Sequence, residues 1–185
     1  MKEFNQNTQN FIKQFEEIQT WADKIKSELN EEKFNQKPAS GGWSVGECLQ
    51  HINITAELYL PRIENTIKLA KEKKLYSDGI FKPRILQNKL ISSLEPPYKR
   101  KIKTFKAFEP PSTLDMQAVF DSFQKLNEQL INFVKDSNGI KLNKAVLVSP
   151  VSKLVRLKLG EAFLLLATHT RRHLWQAEQV LNNKD

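Results

Sequence analysis

The sequence predicts an all-α fold, a four-helix bundle with a long crossover between helices 2 and 3, in up-down-down-up order. Three observations predict it. Four stretches repeat apolar residues at the helical period, each as a single stripe with polar residues opposite. Residues 75–111 carry no such period and are too many for an ordinary loop. The composition, 39% hydrophobic and 27% charged over 185 residues, suits one globular domain spanning 1–185 with a real core.

The first helix is expected from Phe4 to about Asn30, with Phe11, Phe15, Ile18, Ala22 and Ile25 along its stripe. Residues 31–43 read as a short connection that ends in Lys37-Pro38-Ala39-Ser40-Gly41-Gly42, a run of strong breakers. Ser44 then has N-cap chemistry, and Glu47 three residues later completes the capping-box pattern. The second helix is expected from Val45 to about Lys73, with Val45, Leu49, Ile52, Ala56, Leu60, Ile63 and Ile67 buried. Pro61 inside it should kink or briefly break it.

In the crossover, Asp78-Gly79 and Pro83 punctuate the chain and Ile85 to Leu94 reads as a short helix. The basic run Lys99-Arg100-Lys101-Ile102-Lys103 reads as a solvated connection. A crossover of this length would let the second and third helices lie parallel. The third helix is expected to begin near Ser112, with Ser112 or Thr113 as cap and Asp115 in its first turn, and to end at Gly139. Residues 140–157 are expected to be extended or to form an apolar flap over one bundle end. The fourth helix should run from about Leu159 to Leu181.

The net charge of +8 raises the question of nucleic acid. Basic residues are spread along the chain, however, and no groove-reading motif accompanies them. No specific nucleic-acid partner is expected; a basic surface that attracts a small anionic substrate fits better. No apolar run is long enough to span a bilayer, and the first residues lack the apolar stretch of a signal peptide. Together with a single cysteine, these features predict a cytoplasmic protein with no membrane partner.

The chain has three histidines, and all fall on helix shoulders. His51 lies about 120° from the centre of its stripe, and His169 and His173 about 120° and 80° from theirs. His169 and His173 are spaced i, i+4, so their Cβ atoms are about 5–6 Å apart on one face. Such a pair, joined by a histidine from a neighbouring helix, can hold one metal ion and leave positions open for water or substrate. Cys48, one turn before His51, is either a soft ligand or a small core hydrophobe. Glu47 serves either the helix cap or the chemistry of the site, as an orienter or proton acceptor. Arg171 and Arg172 are candidates to bind an anionic substrate, with surface salt bridges as the competing role.

The stretch Gly42-Trp43-Ser44-Val45-Gly46-Glu47-Cys48-Leu49-Gln50-His51, a long gap, then His169-Thr170-Arg171-Arg172-His173-Leu174-Trp175-Gln176 resembles the DinB-like superfamily. There a tryptophan and serine open the second helix, a glutamate precedes the first histidine by four, and H-x-x-x-H lies on the last helix. The likeness extends to chain length and to the long second connection. It implies a four-helix bundle, often a homodimer, that holds a divalent metal through His51, His169 and His173. Zinc or nickel are the ions implied first, with iron or manganese next.

The YfiT-like and bacillithiol-transferase-like members imply a thiol S-transferase acting in detoxification or stress response. Its partners would be a low-molecular-weight thiol such as bacillithiol and an electrophilic substrate. A metal-dependent hydrolase would use the same three ligands to activate water. A third reading is a metal-binding stress-response bundle without turnover.

Overall fold

A computed structural model describes residues 3–39, 41–77, 79–97 and 104–182. The basic run Lys99–Lys103, with Ser40 and Asp78, lies outside the described residues. Four long helices form the bundle: α1 (Gln6–Ser27), α3 (Val45–Glu72), α5 (Met116–Asp136) and α6 (Leu159–Leu181). Two short helices, α2 (Glu31–Asn35) and α4 (Ile85–Ser92), a 3-10 turn (Lys106–Phe108) and a hairpin of β1 (Val146–Val148) and β2 (Arg156–Lys158) complete it.

Both α1 and α3 pack against α5 and α6, so α1 and α3 face each other diagonally across the core. Individual contacts give the directions. Phe11 stacks near Phe163, with ring centroids 5.5 Å apart, and Lys24 pairs with Glu178 at 3.5 Å, so α1 and α6 are parallel. Asn5 at the start of α1 donates its N–H to Asn138 just beyond α5, which makes that pair antiparallel. Asn53 near the start of α3 donates to the Val119 carbonyl in the first turn of α5. Lys141 N–H donates to Leu75 O beyond the ends of those same helices, so α3 and α5 are parallel. His51 on α3 meets His169 on α6, which places the opening turns of the one beside the closing half of the other. The order is up-down-down-up, and the parallel pair α3 and α5 needs the crossover of residues 73–115.

The apolar stripes explain why these segments bury the faces they do. Every stripe residue named for the second helix is buried, as are Phe11, Phe15, Ile18, Ala22 and Ile25 on α1. At the head of α3, Ser44 Oγ accepts from Glu47 N–H at 3.1 Å, and Glu47 Oε2 accepts from Ser44 N–H at 2.8 Å. This is the expected capping box.

Three local features differ from the sequence reading, each for a physical reason. Residues 31–35 are helical because Asn30 caps them, accepting from Lys33 N–H, and because Phe34 is fully buried over α3. That approach is close: a Cβ at Gly46 would lie 2.7 Å from the Phe34 ring. The helix α5 begins at Met116 rather than near Ser112, since Asp115 is the cap, and the Asn35 side chain binds both the N–H and the carbonyl of Leu114. The same helix stops at Asp136; Gly139 follows at φ +79 and gives its carbonyl to Ser77 N–H. Of the two outcomes expected at Pro61, a break does not occur, since α3 runs on through it. The proline is exposed, as is Glu57, whose carbonyl loses its partner, so water can satisfy it. The extended backbone expected within residues 140–157 is present: β1 and β2 form a hairpin with Leu147 paired to Leu157, both buried, while Val146 and Val148 face outward. Among the described residues, no helix is long and apolar enough to cross a membrane.

Candidate metal centre

The three histidines converge. Each offers one ring nitrogen to a set whose atoms all lie within 4.8 Å of one another. The rings are packed at 4.5 Å (His51–His173 and His169–His173) and 4.9 Å (His51–His169) between centroids. Trp43, just before the α3 cap, lies over them, 4.8 Å from His51 and 5.8 Å from His173.

Hydrogen bonds assign the tautomers. His51 Nδ1 is 2.7 Å from the carbonyl of Phe108, and a carbonyl can only accept, so Nδ1 carries the proton. The lone pair is then on Nε2, which faces His169 Nε2 at 3.1 Å. His173 Nδ1 is 3.1 Å from Gln176 Oε1, and donation to that oxygen likewise leaves its Nε2 bare. Outer partners that fix ring and tautomer in this way are what metal-ligating histidines ordinarily have.

Electrostatics keeps the set neutral. Burial pushes the His51 imidazole below its ordinary value, against the opposing pull of the Phe108 carbonyl. His169 is lowered to about 3 by burial, then by His51 and Arg172. His173 is well below the usual range through burial, then through His169, His51 and Arg172. At neutral pH all three are neutral imidazoles, each with one bare ring nitrogen, the form that binds metal.

The spacing of His51 and His169 fits two ligands of one divalent ion. Two nitrogens each about 2.0–2.1 Å from a common ion lie about 3.0 Å apart at a right angle and about 3.4 Å apart at the tetrahedral angle. The observed 3.1 Å falls between those limits. Three neutral imidazoles suit zinc, nickel or iron. Cys48 is fully buried in the hydrophobic core and is not part of the cluster.

The cluster sits in a cleft of about 580 Å³. Its walls come from α3, α6, the crossover, the Gly42–Trp43 turn and Val151 in the hairpin loop. Arg172 lines it and is itself buried. The other expected site residues lie elsewhere. Arg171 is bound to Glu95, Gln14 and Thr168 and does not line the cleft. Glu47 has Oε2 on Ser44 N–H and Oε1 3.0 Å from the Lys37 ammonium, and it too is absent from the cleft wall.

Sequence reasoning missed the Phe108 carbonyl, a backbone group 57 residues from its histidine with no local signal. It also missed Tyr59, although Thr55 and Tyr59 follow His51 at i+4 and i+8, the spacing that places side chains on one helix face.

No curated protein and no solved structure matches this chain. The model of the DinB superfamily matches residues 14–177, from the middle of α1 to the last turns of α6 and across all three histidines. A four-helix bundle with parallel α3 and α5, three converging histidines and that match lead to one statement: the chain belongs to the DinB superfamily.

Proposed function

We propose that this protein is a metal-dependent thiol S-transferase that joins a low-molecular-weight thiol to an electrophile, in detoxification or stress response. One observation carries the reading: three neutral imidazoles stand beside the buried cation of Arg172, in a cleft with room for organic ligands. His51, His169 and His173 would hold the ion. A divalent ion there would supply Lewis acidity and lower the pKa of a thiol presented to it.

The remaining roles belong to the chain. None of the three ligands brings negative charge, and Arg172 adds a positive one, so the cleft favours an anionic reactant such as a thiolate. Glu109, the one carboxylate on the wall among the described residues, is exposed and faces competition from water. The carbonyl of Phe108 and the amide of Gln176 hold two rings in register, while Trp43 covers them. In the transfer the thiolate sulfur supplies the electron pair of the new S–C bond. The bond from that carbon to its leaving group breaks, the leaving group departs with its pair, and the thiol proton goes to solvent.

The test begins with elemental analysis of untagged wild type beside His169→Ala. About one divalent ion per chain in the wild type, lost in the variant, is the expected result. Loaded protein is then assayed with thiols and a chromogenic aryl halide. Thiol-dependent turnover supports the transferase. Ester cleavage without thiol would assign water as the nucleophile instead, and absence of both activities would leave a non-catalytic metal-binding bundle.

A further inference from the structure

The cleft has two arms of opposite character, and they meet at the histidines. Because α3 and α6 are antiparallel, residues after His51 face residues before His169. On that side the wall is Tyr59, Leu165 and Leu166 from the helices, closed over by Leu94, Phe105 and Val151 from the two connections. On the other side α6 continues from His169 to Arg172 and Gln176.

Two polar groups of the first arm are already engaged within the protein. Tyr59 Oη shares a hydrogen bond with Ser149 Oγ at 2.9 Å, and Thr55 Oγ1 donates to the carbonyl of His51 at 2.8 Å. A polar ligand entering there would give up its water and find few partners in return. At the mouth, Phe105 and Val151 are 61% and 41% exposed, apolar surface that a ligand would cover.

We propose that this arm is the subsite for the second substrate, an electrophile carrying an apolar chain or ring system about 12 Å long, while the Arg172 arm takes the thiol. The inference rests on the transferase reading and adds the class of the electrophile. Size supports it. A cleft of about 580 Å³ is well within the range of sites that enclose a whole organic molecule, far more than an ion and a small thiol fill. The length follows from the helix: the eight residues from His51 to Tyr59 rise about 12 Å. An extended chain advancing about 1.2 Å per bond spans that distance with roughly eight to ten carbons.

The experiment uses n-alkyl hydroxamic acids, whose head groups seek the ion, titrated into metal-loaded wild type with metal content measured on the same samples. Affinity is expected to rise about three- to fourfold per methylene. The rise should level off at roughly eight to ten carbons, where the arm ends. Phe105→Ser with Val151→Ser, both at exposed positions and so compatible with folding, should flatten the dependence while leaving the shortest members unchanged. Equal affinity for all chain lengths on protein that carries about one ion per chain overturns the subsite and leaves the metal site standing. If instead the protein takes up no metal, n-alkyl carboxylates on the metal-free chain give the decision. A chain-length dependence there supports the arm although the metal reading has failed, and its absence overturns the arm as well.

Discussion

Removing the carboxylate of Glu161 should be among the costliest single changes in the molecule. Its side chain is completely buried in the first turn of α6 and accepts four hydrogen bonds. Oε1 takes the N–H of Arg84 at 3.0 Å and its Nε at 2.8 Å; Oε2 takes Arg84 Nη2 at 2.6 Å and Lys158 N–H at 2.9 Å. In Glu161→Ala, two backbone N–H groups lose their acceptor in a partly buried place. Each such loss costs about 1–3 kcal/mol. The Arg84 side chain is 44% exposed, so its charge is rehydrated and the ion pair itself adds only about 0–1 kcal/mol. The expected destabilisation is therefore about 4 kcal/mol, mostly from the orphaned amides. Glu161→Gln should lose about half of that, because one end of the amide must face donors. Urea denaturation followed by far-UV circular dichroism measures both. A cost for the alanine variant within about 0.5 kcal/mol of zero would refute the reasoning, since that is the range of an unremarkable surface change.

Further outcomes follow from the same structure. Zinc at about one hundred times its Kd should stabilise the wild type by about 2.7 kcal/mol, and a scan of His51→Ala should show no such gain. For a chain of this size that is a rise in Tm of about 5–11 °C. Gly46→Ala should cost about 1–3 kcal/mol, because its Cβ meets the Phe34 ring at 2.7 Å, and Phe34→Leu in the same chain should return part of the loss. Acid should weaken the fold through Glu161. Burial pushes its carboxyl up, but the bonds from Arg84 and from the Lys158 N–H outweigh burial and hold it below the ordinary 4.5. Its contribution is complete above that value and is lost as pH falls through the lower folded one. The urea midpoint of the wild type should thus drop more steeply below pH 4.5 than that of Glu161→Gln.

The long helices and the metal cluster were readable in the sequence because both depend on local spacing. A stripe at the helical period names its own buried face, and His169 with His173 announce a shared helix side without knowledge of the partner. Their meeting with His51 followed from shoulder positions and the family motif. What escaped was non-local. The Asn35 side chain holds Leu114 outside α5, and Glu161 fastens Arg84 from 77 residues away. Glu95 draws Arg171 from the cleft, a choice between two adjacent arginines that helical spacing alone could not make. The extended backbone around Val146–Val148 was readable, but its pairing with Arg156–Lys158 was not, since each strand is only three residues long.

The parallel run of α3 and α5 has an evolutionary side. It obliges the chain to return between them through a long connection, whose described residues both orient His51 through Phe108 and line the cleft with Leu94 and Phe105. Lengthening a connection is thermodynamically cheap, about 0.6 kcal/mol for each doubling. Selection can therefore remodel that lining by insertion, deletion or exchange while the four-helix frame and its imidazoles stay as they are. The segment with the weakest pattern in the sequence is the one through which this architecture can change what its cleft admits.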